Sequence, residues 1–186
     1  MEEPYFWYVM YVRTNTENRV IEDIDRFIEK SGFDYEFEPF CPVSEFYYRN
    51  KDARRPGKVY RKRPLFPGYV FIETNMPAKE FVREFATYIY GSNDIIRLLR
   101  SGSPDSIALP KDERQRLEYL LKGKRCLERS VGYIVGDKVT VESGPLVGKE
   151  GLITYINRHN RFADIELDMF GGKIKARVAL EIVSKN

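Results

Sequence analysis

The densest group of side chains that could do chemistry is a run of cations between residues 49 and 63. Eight of these fifteen residues are lysine or arginine, and Asp52 is the single acid among them. Cations this close repel one another, and phosphate contacts would relieve that repulsion while releasing counterions. A solvated loop without a partner is the alternative. The run predicts a loop that contacts DNA or RNA, formed by Arg49, Lys51, Arg54, Arg55, Lys58, Arg61, Lys62 and Arg63.

A second group of cations lies in the last third of the chain. Residues 157–161 read as a turn between strands, and a later strand carries a cation at every second position. Side chains two residues apart on a strand point to the same face. These residues predict a basic patch for RNA, and the alternative is the wet face of a half-exposed strand. The patch comprises Arg158, His159, Asn160, Arg161, Lys173, Lys175 and Arg177.

Catalytic and metal-binding patterns are missing from the sequence. His159 is the single histidine, and Cys41 and Cys126 stand far apart without the CxxC spacing of a metal site. Residues 144–149 superficially resemble a phosphate-binding loop, but Glu150 replaces the serine or threonine that would bind magnesium. We therefore expect no enzymatic activity, no metal and no cofactor.

A turn rich in aromatic residues follows the first run of cations. Pro67 presets φ and Gly68 tolerates a positive φ, so the turn can hold Phe66 and Tyr69 in fixed orientations where a strand begins. Phe66 lies in the turn and not inside the strand, so we expect its ring to be exposed and to anchor a partner helix. The alternative is that these rings belong to the core.

The elements around these residues can be read from local patterns. Residues 7–13 have the aromatic and β-branched composition of a central strand, and residues 14–17 have the spacing of a capping box that opens a helix ending at Gly32. A second helix is predicted after Pro77, with Phe81, Val82, Phe85 and Tyr88 on its buried face. A third is predicted to start at Pro110.

The last sixty residues alternate between apolar and polar almost throughout. About five short strands separated by glycine, proline and asparagine predict a small barrel. The pattern changes from mixed helix and strand to strand alone near residue 123. We therefore expect an α+β protein with an N-terminal domain at 1–122, a linker at 123–130 and a C-terminal domain at 131–186.

Composition sets the remaining expectations. The 186 residues carry a net charge of +3, which is too small to argue for nucleic acid without the clustering described above. No apolar run is long enough to span a membrane, and the first residues lack the pattern of a signal peptide. We expect a cytoplasmic monomer with no membrane partner.

Three ordered motifs carry a resemblance to a known family. Residues 65–70 (LFPGYV), 7–9 (WYV) and 136–139 (GDKV) resemble the signatures of the NusG family of transcription elongation factors, and residues 144–151 are similar to a KOW motif. The resemblance implies an N-terminal α/β sandwich with an antiparallel sheet and a C-terminal KOW (SH3-like) small β-barrel. It also implies docking on the clamp helices of RNA polymerase through Trp7, Tyr8, Phe66, Pro67, Gly68 and Tyr69.

Within the family, the chain looks most similar to the LoaP antiterminators. Residues 64–73, 94–100, 156–159 and 178–183 carry that similarity. It implies recruitment by an RNA hairpin in the nascent leader, with the KOW domain and its basic patch as the contact, and processive antitermination. The alternatives are a general NusG-type elongation or termination factor without RNA specificity, and a ribosome-associated KOW protein that binds RNA.

Overall fold

The computed structural model describes residues 5–49, 57–100 and 107–185. Lys51, Arg54 and Arg55 of the predicted nucleic-acid loop lie outside these ranges. Twelve strands, three α-helices and a short 3₁₀-helix at Glu150–Leu152 occupy the described residues. In chain order the strands and α-helices are β1 (Phe6–Val12), α1 (Glu17–Ser31), β2 (Phe37–Phe40), β3 (Val43–Arg49), β4 (Lys58–Pro64), β5 (Tyr69–Thr74), α2 (Ala78–Gly91), β6 (Ile95–Leu98), α3 (Lys111–Leu121), β7 (Cys126–Leu127), β8 (Ser130–Val135), β9 (Lys138–Ser143), β10 (Ile153–Asn157), β11 (Phe162–Met169) and β12 (Gly172–Lys185).

The chain divides into two compact units. The first contains Met1–Cys41, Phe66–Gln115 and Met169–Gly172, and the second contains Pro42–Leu65, Arg116–Asp168 and Lys173–Asn186. The predicted domain boundaries at residues 122 and 131 stay a prediction. The mixed α+β fold class that we expected is confirmed.

An antiparallel sheet in the order β2-β5-β1-β6 forms the centre of the first unit. One of its faces is covered by apolar side chains of α1 and α2, including Val20, Ile24, Phe81 and Phe85. These side chains pack on Tyr8, Met10, Val12, Val70 and Ile72 of the two central strands. Burying both central strands under two amphipathic helices gives this unit its hydrophobic core.

The two helices of that core differ in detail from the sequence expectations. Helix α1 ends at Gly32 in the left-handed conformation (φ 62°), as predicted. Its predicted capping box does not form, because the box needs Glu17 at the third helical position, whereas α1 begins at Glu17. The N-cap is Thr16, whose Oγ1 donates to the Arg13 carbonyl (2.7 Å). In α2 the inward residues are Phe81, Phe85 and Ile89. Val82 is 43% exposed, because one residue corresponds to about 100° around a helix.

The second unit contains two sheets. The predicted run of five C-terminal strands forms one sheet in the order β10-β11-β12-β8-β9, in which β12 pairs with β8 in parallel and β8 with β9 antiparallel. The other sheet has the order β4-β3-β7. Its strand β7 lies inside the predicted linker and pairs in parallel with β3, Val43 opposite Cys126. No helix of the described ranges is long and apolar enough to cross a membrane.

Candidate binding surfaces

The sheet of the first unit carries a second face, on the side away from α1 and α2. We call it the aromatic face and define it by Trp7, Tyr11, Phe40, Phe66, Tyr69 and Phe71. The strands explain how these rings meet. Tyr11 lies opposite Tyr69 and Phe40 lies opposite Phe71 in the antiparallel register, and opposite residues of paired strands share a face. The arrangement concentrates rings from three strands and one turn.

The turn at Phe66–Tyr69 is held by backbone hydrogen bonds on both sides. The Val12 N–H donates to the Gly68 carbonyl (2.7 Å), and the Tyr69 N–H donates to the Phe66 carbonyl (3.2 Å). Gly68 has φ 86°, and a Cβ there would lie 3.1 Å from the Val12 carbonyl oxygen. Glycine is therefore required at this position both by φ and by the close approach of β1.

Glu17 completes the turn, and sequence reasoning missed this role. Its carboxylate is buried and accepts a hydrogen bond from the Gly68 N–H (2.7 Å). The spacing of residues 14–17 suggested only a helix cap. A glutamate at the first position of α1 instead connects that helix to a turn 51 residues later in the chain. A single sequence carries no signal for such a long-range partner.

The prediction that Phe66 is exposed is wrong. Its side chain is 1% exposed, and Phe170 of the segment Met169–Gly172 lies edge-on to it, with ring centroids 6.3 Å apart. The Phe170 ring also stacks on Tyr69 at 5.0 Å, with an interplanar angle of 10°. The Phe170 N–H donates to the Glu113 carboxylate (2.8 Å). Within the first unit, therefore, Phe170 covers part of the aromatic face.

The other predicted docking residues lie in different environments. Trp7 belongs to the aromatic face, where it is buried and its Nε1–H donates to Glu73 (2.8 Å). Tyr8 points to the opposite, helix-covered face, where its hydroxyl donates to the Met76 carbonyl (2.8 Å) and burial raises its pKa. Pro67 is exposed at the turn. The structure thus places Trp7, Phe66 and Tyr69 on one surface and Tyr8 elsewhere.

The described residues of the predicted nucleic-acid loop belong to the paired strands β3 and β4. These strands pair without a break from Val43 opposite Pro64 to Arg49 opposite Lys58. Arg61, Lys62 and Arg63 are exposed on β4. Their register places Arg61 and Arg63 opposite Phe46 and Ser44, whereas Lys62 lies opposite Glu45. The two arginines therefore share one face of the hairpin, and the lysine lies on the other.

Part of the basic patch predicted for RNA is neutralised inside the second unit. Arg177 donates two hydrogen bonds to Asp164 (2.7 and 3.0 Å), which raise its pKa, and its guanidinium lies 3.9 Å from the centroid of the Phe162 ring. Lys173 donates to Glu166 (2.7 Å), and this bond lowers the pKa of that carboxyl group. Two acids of β11 therefore offset two of the cations of β12.

The turn after β10 keeps its polar residues at the surface. Arg158, His159 and Asn160 are exposed, and the Asn160 N–H donates to the Asn157 side-chain carbonyl (2.8 Å). Arg161 lies 3.8 Å from a carboxylate oxygen of Glu181. Lys175 is exposed on β12. Three of the seven residues predicted to bind RNA, Arg158, His159 and Asn160, therefore form an exposed group on this turn. Lys173 and Arg177, which are bonded to acids, do not belong to it.

Cys41 and Cys126 are partly buried thiols. In the part of the chain that the structure describes, no cluster of three or more histidine, cysteine or acidic side chains is placed to hold a metal ion. Burial raises the pKa of Cys41 to about 12, which keeps its thiol protonated at neutral pH. Burial also raises the pKa of Cys126.

The fold and these surfaces define a class of α+β proteins that combine a sheet with an aromatic face and a small five-stranded sheet. The chain belongs to the NusG family, since the family model described as transcription termination factor NusG matches residues 5–118. It is 27% identical to the transcription termination/antitermination protein NusG of Thermus thermophilus over 168 residues, covering 89% of this chain and 90% of that protein.

Other relatives span nearly the whole chain. The NusG protein of Borreliella burgdorferi is 23% identical over 186 residues, with 96% of this chain and 97% of the relative covered. A solved structure described as domain interaction in Thermotoga maritima NusG has the same fold, with a TM-score of 0.55. At 20% identity it covers 96% of this chain and 94% of its own.

Proposed function

We propose that this chain is a NusG-type transcription factor that binds RNA polymerase through its aromatic face. The observation that carries the proposal is the fixed turn at Phe66–Tyr69, which aims two rings onto a face already lined by Trp7 and Phe71. A partner helix can insert apolar side chains among such rings, and large aromatic residues dominate the energies of interfaces of this kind.

Binding of this kind would act by shifting a conformational equilibrium. A factor that grips the clamp of the polymerase more tightly in its closed state favours that state over an open, paused one, without any chemical step. The Phe170 ring must leave Tyr69 before a helix can occupy the same position, since both would contact the same ring face. Docking therefore requires that Phe170, in the segment Met169–Gly172, first be displaced from Tyr69.

Replacing Phe66 with alanine is expected to weaken binding to core RNA polymerase about ten-fold. The change removes an anchor of the aromatic face, and the loss is partly offset because the same ring also contacts Phe170. A pull-down of purified polymerase by the tagged full-length chain gives the measurement. Phe81→Ala is the matched control, because Phe81 is equally buried but on the helix-covered face. Unchanged binding by the Phe66 variant would contradict the docking role.

We further propose the specialised role of a LoaP-like antiterminator that recognises a leader RNA hairpin through the turn at Arg158–Arg161. This role is favoured by exposed planar donors, Arg158 and His159, on a short turn. Such groups suit phosphates and the edges of unpaired loop bases. The hairpin of β3 and β4 would contribute additional phosphate contacts from its cations. A general elongation or termination factor without RNA preference is the other candidate.

Exposed and ion-paired cations of the second unit should respond differently to neutralisation. Arg158→Gln is expected to weaken binding to a cognate leader hairpin about five-fold or more, because it removes an exposed donor that contacts RNA. Lys173→Gln should change binding by less than about two-fold, since that ammonium is already hydrogen-bonded to Glu166. A mobility shift at fixed salt, with a scrambled hairpin as the reference RNA, measures both variants. Equal affinity for the two RNAs would favour the general factor.

A further inference from the structure

The loop at residues 144–149, which follows β9, is held in one position by contacts within the second unit. Gly144 has φ 96°, and a Cβ there would lie 2.6 Å from the Cα of Ser130. The Leu146 side chain is buried, and the Leu146 N–H donates to the Ser130 Oγ (3.1 Å). The Lys149 N–H donates to the Leu146 carbonyl (2.9 Å). The loop therefore presents the Lys149 side chain from a fixed backbone.

The end of α3 brings a second lysine and a ring to this loop. The Lys149 Nζ lies 4.1 Å from the centroid of the Tyr119 ring and donates to the Pro145 carbonyl (2.9 Å). Lys122 follows Tyr119 by three residues, and its Nζ donates to the Gly144 carbonyl (3.3 Å). The carbonyl groups of two consecutive residues thus bring the ammonium groups of Lys122 and Lys149 together.

Neither of these two ammonium groups has a carboxylate partner within residues 5–49, 57–100 and 107–185. The acids closest to them bond elsewhere. Glu150 accepts a hydrogen bond from the Val141 N–H (3.0 Å). Glu128, which is close enough to feel the charge of the first lysine, accepts a hydrogen bond from Lys124 (2.5 Å). The pair therefore keeps two positive charges.

The environment of Lys149 favours the free amine. Burial and the positive charge of Lys122 lower the pKa of Lys149. The face of the Tyr119 ring attracts the ammonium group and holds Nζ in place, but burial and repulsion outweigh that attraction. A lysine beside another cation is a stronger nucleophile at neutral pH, because more of it is deprotonated. In contrast, hydrogen bonds to carboxylates raise the pKa of Lys124 and of Lys173.

The lysine pair is open to a small reagent. Lys122 is exposed, Lys149 is partly exposed and Tyr119 is 71% exposed. A donor that carries both an acyl group and a phosphate suits the pair, because its phosphate can bond to the Lys122 ammonium while its acyl carbon faces Lys149. An uncharged acyl donor would gain nothing from binding to Lys122.

We propose that Lys149 is a lysine-acylation site whose donor is an acyl phosphate, with Lys122 binding the phosphate group. The free amine of Lys149 attacks the carbonyl carbon of the donor, and a C–N bond forms. The C–O bond to the phosphate breaks, and the phosphate leaves with the electron pair and takes up the proton lost by the amine. The product is a neutral amide, so both the repulsion by Lys122 and the cation–π contact with Tyr119 end. This inference does not rest on polymerase docking or on RNA binding.

The test incubates the folded full-length chain with acetyl phosphate and measures the initial acetylation rate of each lysine by peptide mass spectrometry. Lys149 should react about ten-fold faster than Lys124 and Lys173, whose ammonium groups are bonded to carboxylates. Its rate should also level off at a lower pH, because its pKa is lowered and theirs are raised. In concentrated urea the three lysines should react at similar rates, because the folded contacts are lost.

Variants of Lys122 test the role of the second cation. Lys122→Gln should slow the acetylation of Lys149 about five-fold, whereas Lys122→Arg should retain the rate because it keeps a cation that binds phosphate. Lys175→Gln is the matched control, since it removes an exposed cation of β12 in the same unit and should leave the rate unchanged. Inorganic phosphate should compete with acetyl phosphate but should not slow modification by the uncharged N-hydroxysuccinimide ester of acetic acid.

Two results would overturn the assignment of Lys149. One is equal acetylation of Lys149, Lys124 and Lys173 in the folded chain, and the other is a preference for Lys149 that persists in urea. An unchanged rate in the Lys122→Gln variant, or no competition by inorganic phosphate, would overturn the phosphate-binding role of Lys122.

Discussion

Gly68→Ala is expected to lower the free energy of unfolding of the first unit by about 3 kcal/mol. The left-handed conformation at φ 86° costs an alanine about 1–2 kcal/mol. The added Cβ would also lie 3.1 Å from both the Val12 carbonyl oxygen and a Tyr11 ring carbon, and crowding of this kind costs about 1–3 kcal/mol. Urea unfolding followed by the fluorescence of Trp7, the single tryptophan, reports on this unit.

Gly32→Ala separates the two causes of this destabilisation, which are the left-handed backbone conformation and the crowding of the added Cβ. Gly32 is also left-handed, with φ 62°, but a Cβ there meets no atom within 4 Å. Its replacement should therefore cost only the conformational strain of about 1 kcal/mol. Both glycines belong to the first unit and are monitored by the same tryptophan. If the two variants lost equal stability, the close approach of β1 to the turn would not matter as we describe.

Phe170→Ser is expected to have opposite effects on stability and on binding. Removing a partly buried ring that stacks on Tyr69 should lower the free energy of unfolding by about 2 kcal/mol. The same change uncovers the aromatic face, so that a partner no longer has to displace the ring. Apparent affinity for RNA polymerase should rise by up to about thirty-fold, which corresponds to that energy. Biolayer interferometry with immobilised core polymerase, alongside urea unfolding, measures both quantities.

The control for this prediction is Phe162→Ser. Phe162 is a partly buried ring on β11 that contacts Arg177, and it belongs to the second unit and not to the aromatic face. Its replacement should lower stability without raising polymerase affinity. A fall in stability of the Phe170 variant with no gain in affinity would mean that the polymerase does not compete for the position of that ring.

Local patterns predicted much of the fold. The strand at residues 7–13 and the helix that ends at Gly32 follow from short-range preferences, and both are present. The five C-terminal strands follow from alternation over a few residues each. Such features depend on neighbours in the sequence, so a single chain contains the information. The position of Val82 shows the limit, because helical spacing does not say where the centre of the buried stripe lies.

Long-range partners account for what the sequence could not predict. The burial of Phe66 depends on Phe170, which is 104 residues away, and the role of Glu17 depends on Gly68. The sequence predicted a basic patch from the cations of β12 but not the acids of β11 that pair with two of them, Asp164 with Arg177 and Glu166 with Lys173. Pro67 and Gly68 predicted the turn at residues 66–69 correctly, including a positive φ at Gly68. They carry no information on Phe170, the ring that packs on Phe66 and Tyr69.

Strand β7 also determines where the polypeptide can be shortened. The Val43 N–H donates to the Arg125 carbonyl (3.0 Å), and Val43 and Ser44 pair with Cys126 and Leu127. A fragment ending at residue 122 would lack these partners of β3. The unpaired edge of β3 would then be exposed, and exposed strand edges promote self-association. A fragment ending after residue 128 would keep the edge covered and should stay monodisperse at concentrations where the shorter one aggregates.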